Sequence, residues 1–529
     1  MISHRMRSQG APSGTASSDD PPVKGMMRPA RVLPGTETTV QAVAATRPPV
    51  EVIALNRIAF GPSPADLQRV RASGVNAYIE EQLDPTSIDD SAFAARLAAA
   101  NLQLLDADVP TLWARKKLSY AESHLAFSNV RTAAWLRAIY SRKQLQETLV
   151  DHWHNHFNVY GNAYPIYLVW PDYDRRIRRN IFGNFRTFLE EIAASTAMLY
   201  YLNNVSNSRA GPNENYAREL FELHSLGVAA YKPGVQTKDP TWSGYQDWDV
   251  YEAARCFTGW SANDSSSTGD TGEFLYRNDW HDYFQKNVLN TQIMPNQAPL
   301  KDGRDVLDLV ARHPATARFV ATRLARRLVS DQPSESLISA AAAVFSTNIQ
   351  ASDQLRKVTR AILTHADFTG VWGEKVKRPF EAIVYALRAT AAEWSWTDNF
   401  GWQISLVGQR LFEWSPPTGY PDTRDAWLTS TFLLRRWNFF NMLCEGWITG
   451  ATPNLVNATP AASVTPRQIV RYWADRILGY RLAESELKPF YDFMGRGRNL
   501  DMALPTDERN ERINSLVALI LASPYAQWR

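Results

Sequence analysis

After a polar start, apolar positions recur at helical intervals along most of this chain. Leu55-Asn56-Arg57-Ile58-Ala59-Phe60 leads into Gly61-Pro62-Ser63-Pro64, where Ser63 reads as a helix N-cap and Pro64 as the first helical position. This predicts a helix over 65–73 stopped by Gly74, then a short one through Tyr78 to Leu83 that ends before Pro85. From Leu125 to about His156, the positions Trp135, Ala138, Ile139, Leu145, Leu149 and Trp153 keep helical spacing. Further helical patterns cover 181–202, 304–329, 335–345, 352–365, 378–392, 465–478 and 509–521. Strand signals are few and short. Loops rich in Gly, Ser, Asp and Trp are expected between about Gly234 and Pro299 and around Pro416 to Thr429. No fixed-period repeat and no linker follows residue 50. The expectation is an all-α fold: a disordered tail over 1–50, then a single helical domain over 51–529 with long irregular loops.

Composition narrows this picture only a little. Hydrophobic residues make up 45% and charged residues 21%, as in ordinary folded chains. Lys+Arg 57 against Asp+Glu 54 gives a net charge of +3, too near neutrality to favour nucleic acid or an anionic membrane as partner. The two cysteines, Cys256 and Cys444, make neither a disulfide framework nor a thiolate metal site on their own. No apolar run approaches the roughly 20 residues that span a bilayer. The first 50 residues lack the apolar core of a secretory signal, so no export is read from them and location stays open.

Chemistry-bearing residues concentrate in three places. The first is Asp151-His152-Trp153-His154-Asn155-His156-Phe157. On a helix, His152 and His156 share a face, which suits two imidazoles on one metal; on an extended chain all three histidines would share it. The alternative is histidines that hydrogen-bond backbone and fix a helix end. The second place is Asn213-Glu214-Asn215-Tyr216-Ala217-Arg218-Glu219-Leu220-Phe221-Glu222-Leu223-His224, closed by Gly227. At about 100° per residue, Asn215, Arg218, Glu219 and Glu222 form one stripe, with Ala217, Leu220, Phe221 and His224 opposite. Glu219 and Glu222 then lie roughly 5–6 Å apart at Cβ, which raises one pKa or calls for a cation such as Arg218 between them. Split carboxylates can act as general acid and base, whereas an Arg–Glu face can equally just stabilise its helix. The third place is Asp249 to Trp260, where Asp249 and Glu252 match a capping box, with Trp280-His281-Asp282 nearby as an orienting His–Asp pair. The 18 tryptophans, 21 tyrosines and 22 phenylalanines either fill the core or line a sugar-stacking cleft. Phosphate loops, nucleophile elbows and dinucleotide fingerprints are missing from the sequence.

These segments together resemble the bacterial family catalogued as domain of unknown function 1800. The resemblance runs through LNRIAFGPSP at 55–64, WHNHF at 153–157, NENYARELFELHSLGV at 213–228 and DVYEAARCFTGW at 249–260. It continues with HPATARF at 313–319, KRPFEAIVYALRA from Lys377, GQRLFEWSPPTGYPD at 408–422 and LASPYAQ at 521–527. It places His154, Asn155, His156, Asn213, Asn215, Arg218, Glu219, Glu222, His224, Asp249, Glu252, Arg255 and His281 on the family's motif positions. Tyr283-Phe284-Gln285 departs from the Gly-containing form that usually follows His281. Members are often encoded beside another uncharacterised, export-associated family, so the resemblance implies such a partner and work on envelope or extracellular polymer.

Three functions compete on this basis. The first is an enzyme acting by hydrolysis or transfer on a glycan-like polymer, with Glu219, Glu222, Asp249 and Glu252 as acid/base candidates. Asn213, Asn215 and Arg218 would bind substrate, with Asn155, Arg255 and Trp153 in the walls. The second is a metalloenzyme in which His154, His156 and one or both glutamates hold a divalent metal such as Zn, Mn or Fe, with His224 and His281 as further candidate ligands. The third is a non-catalytic scaffold or secretion partner whose polar cluster fixes helix packing.

Overall fold

The helix starts follow the side chains that can cap them. Ser63 Oγ accepts from Asp66 N at 3.2 Å, and the helix Pro64–Ser73 ends at Gly74, whose φ is +83°. The computed structural model describes residues 46–233 and 244–529, so Gly234 to Ser243 of the expected loop, and residues 1–45 of the expected tail, lie outside the described residues. Residues 46–49 differ from the expected tail, because Thr46 N donates to Glu486 Oε1 at 2.9 Å and Arg47 reaches the Gly370 carbonyl at 2.8 Å. The first helix begins at Val50.

Three of the long periodic runs are broken where side chains intercept the backbone. The 125–156 run is two helices, Tyr120–Tyr140 and Gln144–His156. Between them Asp90 accepts from Ser141 Oγ at 2.7 Å and Arg142 N at 2.8 Å, while Gln144 Nε2 donates to the Ser141 carbonyl at 2.7 Å. The 181–202 run divides into Phe185–Ala193, capped by Asn184, and Thr196–Tyr201, capped by Ser195. The 304–329 run divides at His313-Pro314 into Lys301–Arg312 and Pro314–Leu328. Periodicity reports which face is buried and is blind to a cap that interrupts the ladder while keeping that face.

Among the described residues there are 25 α-helices and three two-stranded antiparallel sheets. Two of the sheets are hairpin-like pairs, Trp260–Ala262 with Phe274–Tyr276 and Lys286–Val288 with Thr291–Ile293, inside the stretch expected as loop. No described helix is long and apolar enough to cross a membrane. Residues 46–529 cluster as one compact unit around a continuous apolar core. The helix Pro379–Thr390, buried along its whole length, runs through that core. Glu381, in its first turn, is ion-paired to Arg327 and Arg529, and Arg378 N donates to it at 2.7 Å. Asp151 joins from the Gln144–His156 helix, 3.1 Å from Arg327. This buried network ties the WHNHF helix to the centre of the fold.

Candidate active site

The second of the three places is a helix with its polar stripe outward. Asn213 N donates to Asn207 Oδ1 at 2.9 Å, and Asn213 Oδ1 accepts from Asn215 N at 3.0 Å, which starts the helix Asn215–Glu219. The next turn, Leu220–His224, is wound as a π-helix, a rare form that is frequent at functional sites. Gly227 ends it with φ +84°, and a Cβ there would strike the Phe319 ring at 2.6 Å. Tyr216, Ala217, Leu220, Phe221 and His224 are buried, while Asn215 is exposed and Arg218, Glu219 and Glu222 are partly exposed. Glu222 and His224, two residues apart, therefore serve different sides.

Arg218 is anchored away from the carboxylate pair. It donates to Glu214 Oε2 at 2.8 Å and Asp247 Oδ1 at 3.1 Å, and its approach to Glu222 is longer, 3.6 Å. Glu219 is left without a hydrogen-bond partner among the described residues. Burial first, and then the charge of Glu222, push its carboxyl up to about 6 against a smaller opposing pull from Arg218. Two tyrosines lie within its field: Tyr201, whose hydroxyl donates to the Ser415 carbonyl at 2.6 Å, and Tyr245, whose buried hydroxyl has no partner among the described residues. Sequence spacing gave no sign of either tyrosine or of Asp247, which come from separate segments. Glu214 was visible as the residue four before Arg218.

The WHNHF run is helical to His156, and its side chains point in different directions. His154 Nε2 is 2.9 Å from Asp174 Oδ1, and its ring packs on Phe412 at 4.6 Å. His156 lies on another side, with Nε2 3.1 Å from the His224 carbonyl and the His224 ring centroid at 6.4 Å. Burial first, then Arg323 and the neighbouring imidazoles His152 and His224, hold His156 well below the usual histidine range. His281 is in a third environment. Among the described residues no group of three or more His, Cys, Asp or Glu has a metal-holding arrangement. Trp153, 1% exposed, is core, packed on Phe157 and Phe188, and is out of a ligand's reach.

Asn155 is a backbone clamp. Its Nδ2 donates to the Tyr420 carbonyl at 2.8 Å and its Oδ1 accepts from Tyr420 N at 2.6 Å, so neither end of the amide is free for a substrate. Asn155→Ala is expected to cost about 2 kcal/mol, from two hydrogen bonds lost at a partly buried site. Denaturant unfolding checks the cost, and faster proteolysis near Tyr420 checks the loosening.

The third place is likewise spent on structure. Helix Asp247–Cys256 starts two residues earlier than the expected cap, and Asp249 sits at its third position, accepting from Gln246 N at 3.0 Å and from Leu289 N at 2.7 Å. Glu252 accepts from Arg255 at 2.7 Å and from Asn287 N at 2.8 Å. Both acids thus staple this helix to the Lys286–Val288 hairpin. Arg255 is paired with Asp282 at 2.8 Å, and His281 with Asp302 at 3.2 Å, so the expected His281–Asp282 pair does not form.

No curated protein and no solved structure matches the chain. One family model does, over residues 53–528, described as Protein of unknown function (DUF1800). That match takes in all three places and nearly the whole chain, and the chain belongs to this family.

Proposed function

We propose that the protein is an acid–base hydrolase or transferase whose reacting groups are Glu219 and Glu222, acting on a neutral, hydroxyl-rich polymer of the glycan type. The observation that carries this is Glu219: partly buried, without a hydrogen-bond partner among the described residues, and with a carboxyl at about 6. A carboxyl near the working pH can give a proton to a leaving oxygen and take one back from water. Glu222, on the same face, would stabilise positive charge on the ring carbon. Asn215, which is exposed, and the partly exposed Arg218 offer donors to substrate oxygens. Asp249 and Glu252 have no part in this reading, since backbone amides hold them. The metal reading lacks a comparable support: His156 and His224 are neighbours, but His154 is held by Asp174 and His281 by Asp302, and no metal-holding group of three forms among the described residues.

The test is release of reducing ends from neutral glucan and N-acetylglucosamine polymers by the wild type beside Glu222→Gln. The reading expects measurable turnover that falls by about 10²-fold or more in the variant. Turnover that is unchanged in Glu222→Gln, or none on any of these polymers, would sink it.

A further inference from the structure

A cavity of about 280 Å³ lies between the helix Tyr120–Tyr140 and the segment from Trp396 to Glu413, and Glu219 is not among its lining residues. Its walls include Trp396, Trp402, Arg131, Arg410, Asp398 and Glu413. Trp402 is 61% exposed, so its ring is not core filling. The Arg131 guanidinium lies 4.3 Å over the Trp396 ring and donates to Glu413 Oε1 at 3.2 Å. Arg410 approaches the other oxygen of the same carboxylate at 3.4 Å. Two arginines face two carboxylates, and the lining carries no net charge.

The backbone fixes this arrangement from behind. Phe412 has φ +65°, a strained value for a bulky residue, and its ring is wedged against His154 at 4.6 Å and Trp170 at 5.3 Å. Its carbonyl accepts from Gly161 N at 2.8 Å. The turn thus imposed sets the direction of Glu413, whose side chain is only 6% exposed. From Glu413 the polar lining continues to Asn162 Nδ2 at 3.5 Å and on to His124 Nε2, 2.6 Å from Asn162 Oδ1. His124 stacks on Tyr120 at 5.2 Å, and Tyr120 and Tyr164 are 67% and 64% exposed. Exposed rings, Trp402 at one end and Tyr120 and Tyr164 at the other, thus flank the polar run Glu413–Asn162–His124.

We propose that this cavity and strip bind a neutral oligosaccharide of pyranose rings, one ring stacked on Trp402 and later rings on the tyrosines. A pyranose offers an apolar C–H face to an indole and a rim of hydroxyls that both donate and accept. Glu413 and Asp398 accept from such hydroxyls; Arg131, Arg410 and Asn162 donate to them. The balanced charge of the lining selects against an anionic chain. Ser415, two residues beyond Glu413, accepts from the Tyr201 hydroxyl within the field of Glu219, so one loop joins the two places. The proposal names the ring chemistry of the polymer assigned to Glu219 and in that respect rests on that reading.

Calorimetric titration of the full chain with cellohexaose, maltohexaose, chitohexaose and hexagalacturonic acid tests it, with Trp402→Ala, Glu413→Gln and Glu219→Gln alongside. At least one neutral hexamer is expected to bind. Trp402→Ala, at an exposed site that leaves the fold intact by circular dichroism, weakens it about tenfold, as does Glu413→Gln, while Glu219→Gln binds as the wild type does. No binding of a neutral hexamer, binding unchanged in Trp402→Ala, or tighter binding of hexagalacturonic acid would each overturn the proposal. Cleavage that persists while Trp402→Ala binds normally removes this site and leaves the Glu219 reading standing. Trp402-dependent binding without cleavage does the reverse.

Discussion

Glu219→Gln is expected to abolish turnover while making the protein slightly more stable at pH 7. Catalysis loses its proton donor and acceptor, worth about 10²–10⁴-fold. The stability change follows from linkage. Burial and Glu222 raise the carboxyl from 4.5 to about 6, so the fold binds this proton more tightly than the unfolded chain does. The contribution is fully present below pH 4.5 and is lost as pH rises through about 6. At pH 7 the carboxylate is a liability that an amide removes, worth about 1 kcal/mol once the solvent at its exposed part is discounted. Parallel activity assays and urea unfolding at pH 5 and pH 7 check both halves. A scaffold whose polar cluster fixes helix packing predicts the opposite sign, a less stable Glu219→Gln.

The largest loss of stability is expected at Glu381. Burial alone would raise its carboxyl, but Arg327, Arg529 and Arg378 outweigh this and hold it well below the usual range. Glu381→Gln leaves these guanidiniums buried without their shared counter-charge, and a broken buried pair costs about 3–5 kcal/mol. Because the folded value is depressed, the carboxylate's contribution is present above pH 4.5 and fades as pH falls below it. Urea unfolding of wild type and variant should therefore differ widely at pH 7 and converge toward pH 3. A difference under about 1 kcal/mol at pH 7 would contradict the network's role.

The helical class was legible because burial imposes a 3.6-residue rhythm, and Ser63 with Pro64 marked a boundary to the residue. Helix Trp170–Asn180, with four arginines among its eleven residues, escaped because its polar face outweighs its apolar one. The outward stripe of Arg218, Glu219 and Glu222 was readable from spacing alone, as was the separation of Glu222 from His224. The partners that decide chemistry were not: Asp247 on Arg218, Asp302 on His281 and Tyr420 on Asn155 lie 29, 21 and 265 residues away. Motif residues looked alike in sequence, and only packing separates a carboxyl held by two amides, such as Asp249, from one left without a partner, such as Glu219.

Carbon-13 titration of the glutamate carboxyls, with Glu219 assigned through Glu219→Gln, reads the protonation of Glu219 directly and needs no knowledge of the substrate. Glu219 is expected to titrate with a midpoint near 6 that falls part of the way toward 4.5 in Glu222→Gln. A midpoint already near 4.5 in the wild type and unmoved by Glu222→Gln would contradict the account, because Glu219 would then hold no proton to donate at neutral pH.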